Sequence, residues 1–280
     1  MLVSELINSG AQSLKSNKIL SHLLDSELIL SKILKKSREK MLTASEQTVS
    51  SKVIKDFYKL IKRRFNHEPL AYIFNEREFW SKNFFVNINT LIPRPETELL
   101  VERLSKYFKN KKISILDIGT GSGCIILALL EELKNSYGTG IDISKKAIKI
   151  ALKNSNLLNL SHRSKFYNRS LDQIYTRKFD LIVSNPPYIC SHKIKNLSED
   201  IKRFEPRIAL DGGNDGLDVI KKVIYKSTSI LKKKGMLALE IGHGQFREVS
   251  QILKACNFRK KLLIKDYQNN IRCVLTILEK

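Results

Sequence analysis

Ser184-Asn185-Pro186-Pro187-Tyr188 is the stretch whose residue types and order make chemical sense first. It follows Phe179-Asp180-Leu181-Ile182-Val183, a short apolar run that reads as a buried strand, so the motif sits at a strand's carboxyl end. Consecutive prolines fix their own backbone angles and donate nothing to a sheet ladder, so the chain leaves the sheet with its carbonyls rigidly aimed. The side-chain oxygen of Asn185 and the main-chain oxygen of Pro186 can each accept one hydrogen of a planar NH2 group, while Tyr188 lies against the same flat group. Asn185, Pro186, Pro187 and Tyr188 are therefore the candidate substrate-binding residues, and Asn185, Pro186 and Tyr188 the candidate catalytic ones. The acceptor suggested is an amide or an exocyclic amine. The plainer alternative is a tight strand-to-loop exit with a packed tyrosine.

A second constellation lies upstream. Gly119-Thr120-Gly121-Ser122-Gly123 follows the apolar run Ile113 to Ile118, and Asp142 ends a second run, Tyr137 to Asp142. A glycine turn between a first strand and a helix lets backbone approach a ligand closely, and an acid ending the next strand can accept hydrogen bonds from a ribose. The spacing is G-x-G-x-G, with Cys124 where a dinucleotide fingerprint would place its third glycine, and no P-loop lysine follows. Asp117 adds an acceptor suited to a cationic amino-acid end. S-adenosylmethionine meets these requirements better than NAD or a nucleoside triphosphate, and the candidate cofactor residues are Gly119, Thr120, Gly121, Ser122, Gly123 and Asp142.

The elements that must position these residues alternate from residue 113 onward. Helices are expected at 125–133, 144–158, 218–231 and 245–256, and strands at 113–118, 137–142, 165–168, 179–184 and 236–241. The runs 260–265 and 272–278 are joined too closely for a crossover helix and should pair antiparallel. This predicts an α/β fold: a doubly wound, Rossmann-like sheet with an antiparallel last strand. Residues 1–72 read instead as a small all-α domain. Leu20, Leu23, Leu24 and Leu28 form one helical stripe, and Val49, Val53, Phe57, Leu60, Ile61 and Phe65 another, with Thr43 and Glu46 at capping-box spacing. Pro69 stops that pattern. Residues 73–92 read as a hairpin linker turning at Ser81-Lys82-Asn83, and 93–280 as the catalytic domain, whose first helix begins at Pro95 or Glu96.

Composition narrows the class. At 280 residues the chain has ample length for a buried core. It carries no apolar run near the roughly 20 residues of a membrane span and no secretory leader at 1–30, so a soluble cytoplasmic protein is expected. Cys124, Cys190, Cys256 and Cys273 are scattered, and the five histidines show no ligand spacing, so neither disulfides nor a metal site are indicated. Asp211-Gly212-Gly213-Asn214-Asp215-Gly216 has a faint calcium-loop look, but Gly213 and Lys222 occupy positions that need ligands. The net charge of +22 is spread: residues 1–75 hold 13 basic and 7 acidic side chains, the rest 37 and 21. That pattern fits a lysine-rich solvated surface better than a dedicated nucleic-acid patch.

With both constellations in place, the chain resembles the protein-(glutamine-N5) methyltransferases that modify peptide chain release factors. Besides Asp117 to Gly123 and Asn185 to Tyr188, the resemblance covers Glu68-Pro69-Leu70-Ala71-Tyr72-Ile73, the run Leu91 to Glu98, and Glu205-Pro206-Arg207 with Gly212-Gly213 and Asp215 to Asp218. It implies methyl transfer from S-adenosylmethionine to the glutamine of the Gly-Gly-Gln motif of class I release factors. It also implies a monomer that needs no nucleic acid or membrane, and a helical amino-terminal domain that grips the substrate protein. Where the family often carries an acid and an aromatic beside the adenine, this chain has Asn168-Arg169-Ser170-Leu171. The resemblance adds Ser170 and Asn185 to the cofactor residues; Ser170 does not stack, and Asp172 is a substitute acceptor. Because Asn-Pro-Pro-Tyr is shared with enzymes that methylate adenine amino groups, an adenine-N6 methyltransferase of DNA or RNA is the competing expectation.

Overall fold

The structure, a computed structural model, describes residues 1–175 and 178–279. The chain folds as two compact units, one of residues 1–75 with 198–204 and one of 76–197 with 205–280.

The first unit is built from α1 (Val3–Ser16), α2 (His22–Leu34), α3 (Arg38–Leu42), α4 (Ser51–Phe65) and α5 (Leu70–Phe74). Leu6, Leu14, Ile29, Leu30, Met41, Phe57 and Ile61 form its core. The α4 stripe packs as its spacing predicts, but the α2 stripe does not. Leu20, Leu23 and Leu24 are exposed, and the buried side of α2 carries Asp25, Ser26, Ile29 and Leu30. The polar members of that side have partners: Arg64 Nε donates to Asp25 Oδ2 at 2.6 Å, and Ser26 Oγ to the Ile7 carbonyl at 2.7 Å. Thr43 ends α3 rather than opening α4, whose amino-terminal cap is Ser50, accepting from the Val53 amide. Pro69 opens the short helix α5.

The second unit begins with a hairpin of β1 (Arg77–Phe79) and β2 (Lys82–Phe84), shorter than the expected 73–92 and turning one residue early. Trp80 and Ser81 both take positive φ, the two-residue turn that matches strand twist. Glu98 holds the strained tryptophan by accepting from its amide at 2.9 Å, and Glu132 accepts from its indole N–H at 2.8 Å. Next come α6 (Pro95–Tyr107), starting at a proline with acids in its first turn, β3 (Ser114–Ile118), α7 (Cys124–Glu132), β4 (Tyr137–Asp142), α8 (Lys145–Leu157), β5 (Ser164–Asn168) and β6 (Phe179–Ser184). One turn of helix, α9 (Glu199–Phe204), lies in the first unit. α10 (Asp218–Ile230), β7 (Leu231–Glu240), α11 (Phe246–Ala255), β8 (Phe258–Lys265) and β9 (Ile271–Leu278) complete the second.

The sheet order is β5-β4-β3-β6-β7-β9-β8, parallel through β7, with β9 antiparallel to both neighbours. Strand alternation splits the core. Ile115, Leu181, Val183, Met236 and Ala238 face α6, α7 and α8, while Leu116, Ile182, Leu237 and Leu239 face α10 and α11. The chain runs outward from β3 through β4 and β5 and then returns to β6 on the other side of β3, so the strand order reverses between β3 and β6. In open α/β sheets that reversal leaves a crevice at the strands' carboxyl ends, where ligands bind. Ile118 pairs with Ser184, which sets the glycine turn and Asn185 side by side.

Candidate active site

A cavity of about 350 Å³ opens at this crevice, within the range of small-molecule sites. Gly119, Thr120, Gly121, Ser122, Asp142, Ser170 and Asn185 all line it. Gly119 and Gly121 take φ of +70° and +55°, and a Cβ at Gly119 would meet nothing within 4 Å, so the turn leaves a cradle of bare backbone. Gly123 plays a different part. It caps α7 at φ +80°, and a Cβ there would press on Leu127, Ala151 and Phe166 at 3.2 to 3.4 Å, so it serves helix-to-sheet packing. Asp142 binds the turn from below: Oδ2 accepts from the Gly121 amide at 3.0 Å and Oδ1 from the Ser144 amide at 2.8 Å. Each oxygen keeps a lone pair for a ligand. Burial raises its pKa against those two donors. Asp117 lies fully buried, with Oδ2 accepting from Thr120 Oγ1 at 2.7 Å and Oδ1 lacking a hydrogen-bond partner among the described residues. Burial, with the Asp142 charge adding to it, pushes this carboxyl up to about 7. A cation placed beside it would recover the desolvation cost.

Of the second constellation, Asn185 and Pro187 reach the cavity wall. The Pro186 ring is buried. The Tyr188 ring packs against the core cluster under α10 and α11, with its hydroxyl 3.5 Å from Glu240 Oε1. Burial drives that phenol's pKa upward, with the Glu240 carboxylate next, so it stays protonated. The glycine-rich loop that looked faintly like a calcium site has a structural use. Ile189 donates to the Leu210 carbonyl, Gly212 to the Ile189 carbonyl and Ser191 to the Gly213 carbonyl, a short ladder that holds the chain leaving Tyr188. Arg94 Nη2 meets the buried Glu205 Oε1 at 2.6 Å, which ties the Pro93-Arg94-Pro95 turn to Glu205-Pro206-Arg207 on the cavity rim.

Three features escaped the sequence reading. Ile143, 59% exposed, and Leu171 give the cavity aliphatic surface, with no aromatic among its described lining residues. Thr97 also lines the cavity. Behind it, Glu240 is buried at the end of β7, on the face that Met236 and Ala238 turn toward α6. An acid closing the apolar run Met236-Leu237-Ala238-Leu239 was the available signal for Glu240.

Comparison with known proteins supports one family along the whole chain. Residues 5–74 match the PrmC N-terminal domain and residues 95–203 the methyltransferase small domain. The chain is 36% identical over 281 residues to a release factor glutamine methyltransferase of Clostridium acetobutylicum, covering 99% of each. It is 40% identical over 265 residues to that of Buchnera aphidicola, covering 93% of this chain and 95% of the other. For Rhodospirillum rubrum the identity is 36% over 275 residues, covering 98% and 85%. Among solved structures, a methyltransferase of Pyrococcus furiosus superposes with a TM-score of 0.53 at 16% identity, over 70% of this chain and 89% of that one, a likeness of fold.

Proposed function

The chain belongs to the release factor glutamine methyltransferase family, and from that premise we propose that it transfers a methyl group from S-adenosylmethionine to the side-chain amide nitrogen of a release-factor glutamine. The observation that carries this reading is the union, in one cavity at the sheet's reversal point, of the glycine cradle, Asp142 and Asn185. The acceptor is the glutamine of a Gly-Gly-Gln motif in a class I release factor, and the helical unit of residues 1–75 engages the rest of that protein.

Gly119, Thr120, Gly121, Ser122, Asp142 and Ser170 would hold the donor, with the buried Asp117 behind Thr120 suited to drawing its ammonium group toward the turn and Ile143 and Leu171 to the adenine faces. When bound, S-adenosylmethionine supplies an electrophilic methyl: its carbon–sulfur bond breaks to leave a neutral thioether as the carbon–nitrogen bond forms. A carboxamide nitrogen is a poor nucleophile because its lone pair is delocalised into the carbonyl. Asn185 Oδ1 and the Pro186 carbonyl accept its two hydrogens, which raises electron density on nitrogen and stabilises the positive charge that grows there. Alignment does the remaining work, and the proton leaves afterwards to water from a nitrogen made acidic by its charge. No side chain need act as a base, in keeping with the protonated Tyr188.

Radiolabelled methyl transfer tests the assignment, with a release factor, its Gln-to-Ala variant, a short Gly-Gly-Gln peptide, DNA and RNA as parallel acceptors. Label is expected in the factor, on the glutamine by mass spectrometry, at a kcat/KM well above that of the peptide. Label in nucleic acid alone would transfer the protein to the adenine-N6 class, persistence in the Gln-to-Ala factor would displace the acceptor, and equal use of the peptide would remove the helical unit's role. Asp142→Ala is expected to weaken S-adenosylmethionine by about 1 to 3 kcal/mol, the cost of hydrogen bonds to a charged group. Calorimetry giving an unchanged Kd would move the ribose elsewhere.

A further inference from the structure

Asn185 accepts a substrate hydrogen only if its carboxamide presents oxygen, not nitrogen, to the cavity. The surroundings decide which. Asn185 Nδ2 lies 3.4 Å from Thr97 Oγ1, and Thr97 Oγ1 lies 2.7 Å from Glu240 Oε2. Thr97 is 2% exposed and Glu240 1%, so the Thr97–Glu240 bond is shielded from bulk solvent. A hydroxyl has one hydrogen to give and two lone pairs, whereas an ionised carboxylate only accepts. With Glu240 ionised, Thr97 gives its hydrogen to the carboxylate, which leaves lone pairs as all it can offer Asn185. The NH2 end of Asn185 turns to those lone pairs and Oδ1 is left for the substrate.

We propose that Glu240 and Thr97 are positioning residues that set the polarity of Asn185, so that the site grips the amide nitrogen of the acceptor and not its carbonyl oxygen. This deepens the proposed function and rests on its reading of Asn185. The fold makes the arrangement. Glu240 follows Leu239, the partner of Ser184, and so stands next to Asn185; its strand face looks at α6, whose third residue is Thr97. Glu240 Oε1 also faces the Tyr188 hydroxyl at 3.5 Å, so one carboxylate braces both sides of the Pro186-Pro187 turn. Burial raises the Glu240 carboxyl to about 7, opposed by the Thr97 hydroxyl and the Arg272 guanidinium and assisted by Glu96. Arg272 is itself held by Asp266 at 3.0 Å. Without the relay, the carboxamide is free to rotate, bind the acceptor by the wrong atom and place an oxygen before the methyl group.

The test measures kcat and KM for a release factor, melting temperature and S-adenosylmethionine Kd in Thr97→Val, Thr97→Ser, Glu240→Gln and Asn185→Ala, and in Thr97→Val combined with Asn185→Ala. At about pH 8.5, where Glu240 is ionised, Thr97→Val should lose about ten- to a hundredfold in kcat, as misplacement of a reacting group does, with the donor's Kd unchanged. Thr97→Ser, which keeps the hydroxyl, should recover most of that loss, whereas Glu240→Gln, whose carboxamide can donate to Thr97 as well as accept from it, should share it. In the Asn185→Ala background Thr97→Val should cost nothing more, because the relay acts only through Asn185. A wild-type kcat in Thr97→Val, an equal further loss in the double variant, or a matching loss of donor affinity or melting temperature would overturn the relay while leaving Asn185 in place. Wild-type transfer by Asn185→Ala would remove the acceptor role itself, and the relay with it.

Discussion

Asn185→Ala should keep its fold and its affinity for S-adenosylmethionine while losing about 10²- to 10³-fold in kcat/KM for the release factor, the effect of deleting one pre-organised group aimed at developing charge. The size follows from what the nitrogen needs. Charge develops there only as the methyl arrives, so an acceptor fixed in advance acts mainly on the transition state. Stability should change little. The Asn185 side chain is half-buried, its bond to Thr97 is long, and the loop is held by its prolines and by the backbone ladder from Ile189 to Gly213. Labelled methyl transfer, with calorimetry for the donor, separates the two quantities. Transfer at the wild-type rate would strip Asn185 of its role, and loss of donor binding in parallel would show instead the cofactor role that the resemblance also assigns it.

The parts of this site that the sequence displayed are those set by local chemistry. Tyr137–Asp142 and Phe179–Ser184 are strands with the expected bounds, because apolar runs ending in an acid or at Asn-Pro-Pro leave little choice of register. The glycine cradle, Asp142 and Asn185 follow from them. What stayed hidden depends on contacts distant in sequence. Thr97 and Glu240 are 143 residues apart, and only the packing of α6 on β7 reveals that they meet. In α2, helical spacing finds a stripe but does not say which side is buried. Asp25 and Ser26 go inward because Arg64 and the Ile7 carbonyl await them, and Leu20, Leu23 and Leu24 are left outside. β7 starts five residues earlier than its apolar run because Leu231 pairs with Phe179 across a register shift, with exposed Lys232, Lys233 and Lys234 between.

Gly212→Ala should lower kcat for the release factor by about ten- to a hundredfold while leaving donor affinity within about twofold, since a displacement near 1 Å at a reacting group has that effect on rate. No positive φ is involved at this position; the constraint is space. A Cβ on Gly212 would stand 2.7 Å from the Pro187 carbonyl oxygen, 2.8 Å from the Gly216 carbonyl oxygen and 2.9 Å from the Tyr188 Cα. All three are backbone atoms, so no side chain can swing aside and the strands of the ladder must part. Overpacking of this kind costs about 1 to 3 kcal/mol, a modest fall in melting temperature. The displaced segment is the one that aims the Pro186 carbonyl, whereas the glycine cradle and Asp142 stand at the carboxyl ends of β3 and β4 and do not depend on it. The separation of kcat from Kd is therefore the decisive result. Parallel loss of both would show a general collapse of the crevice, and an unchanged kcat would show that the aim of the Pro186 carbonyl is set by the two prolines alone.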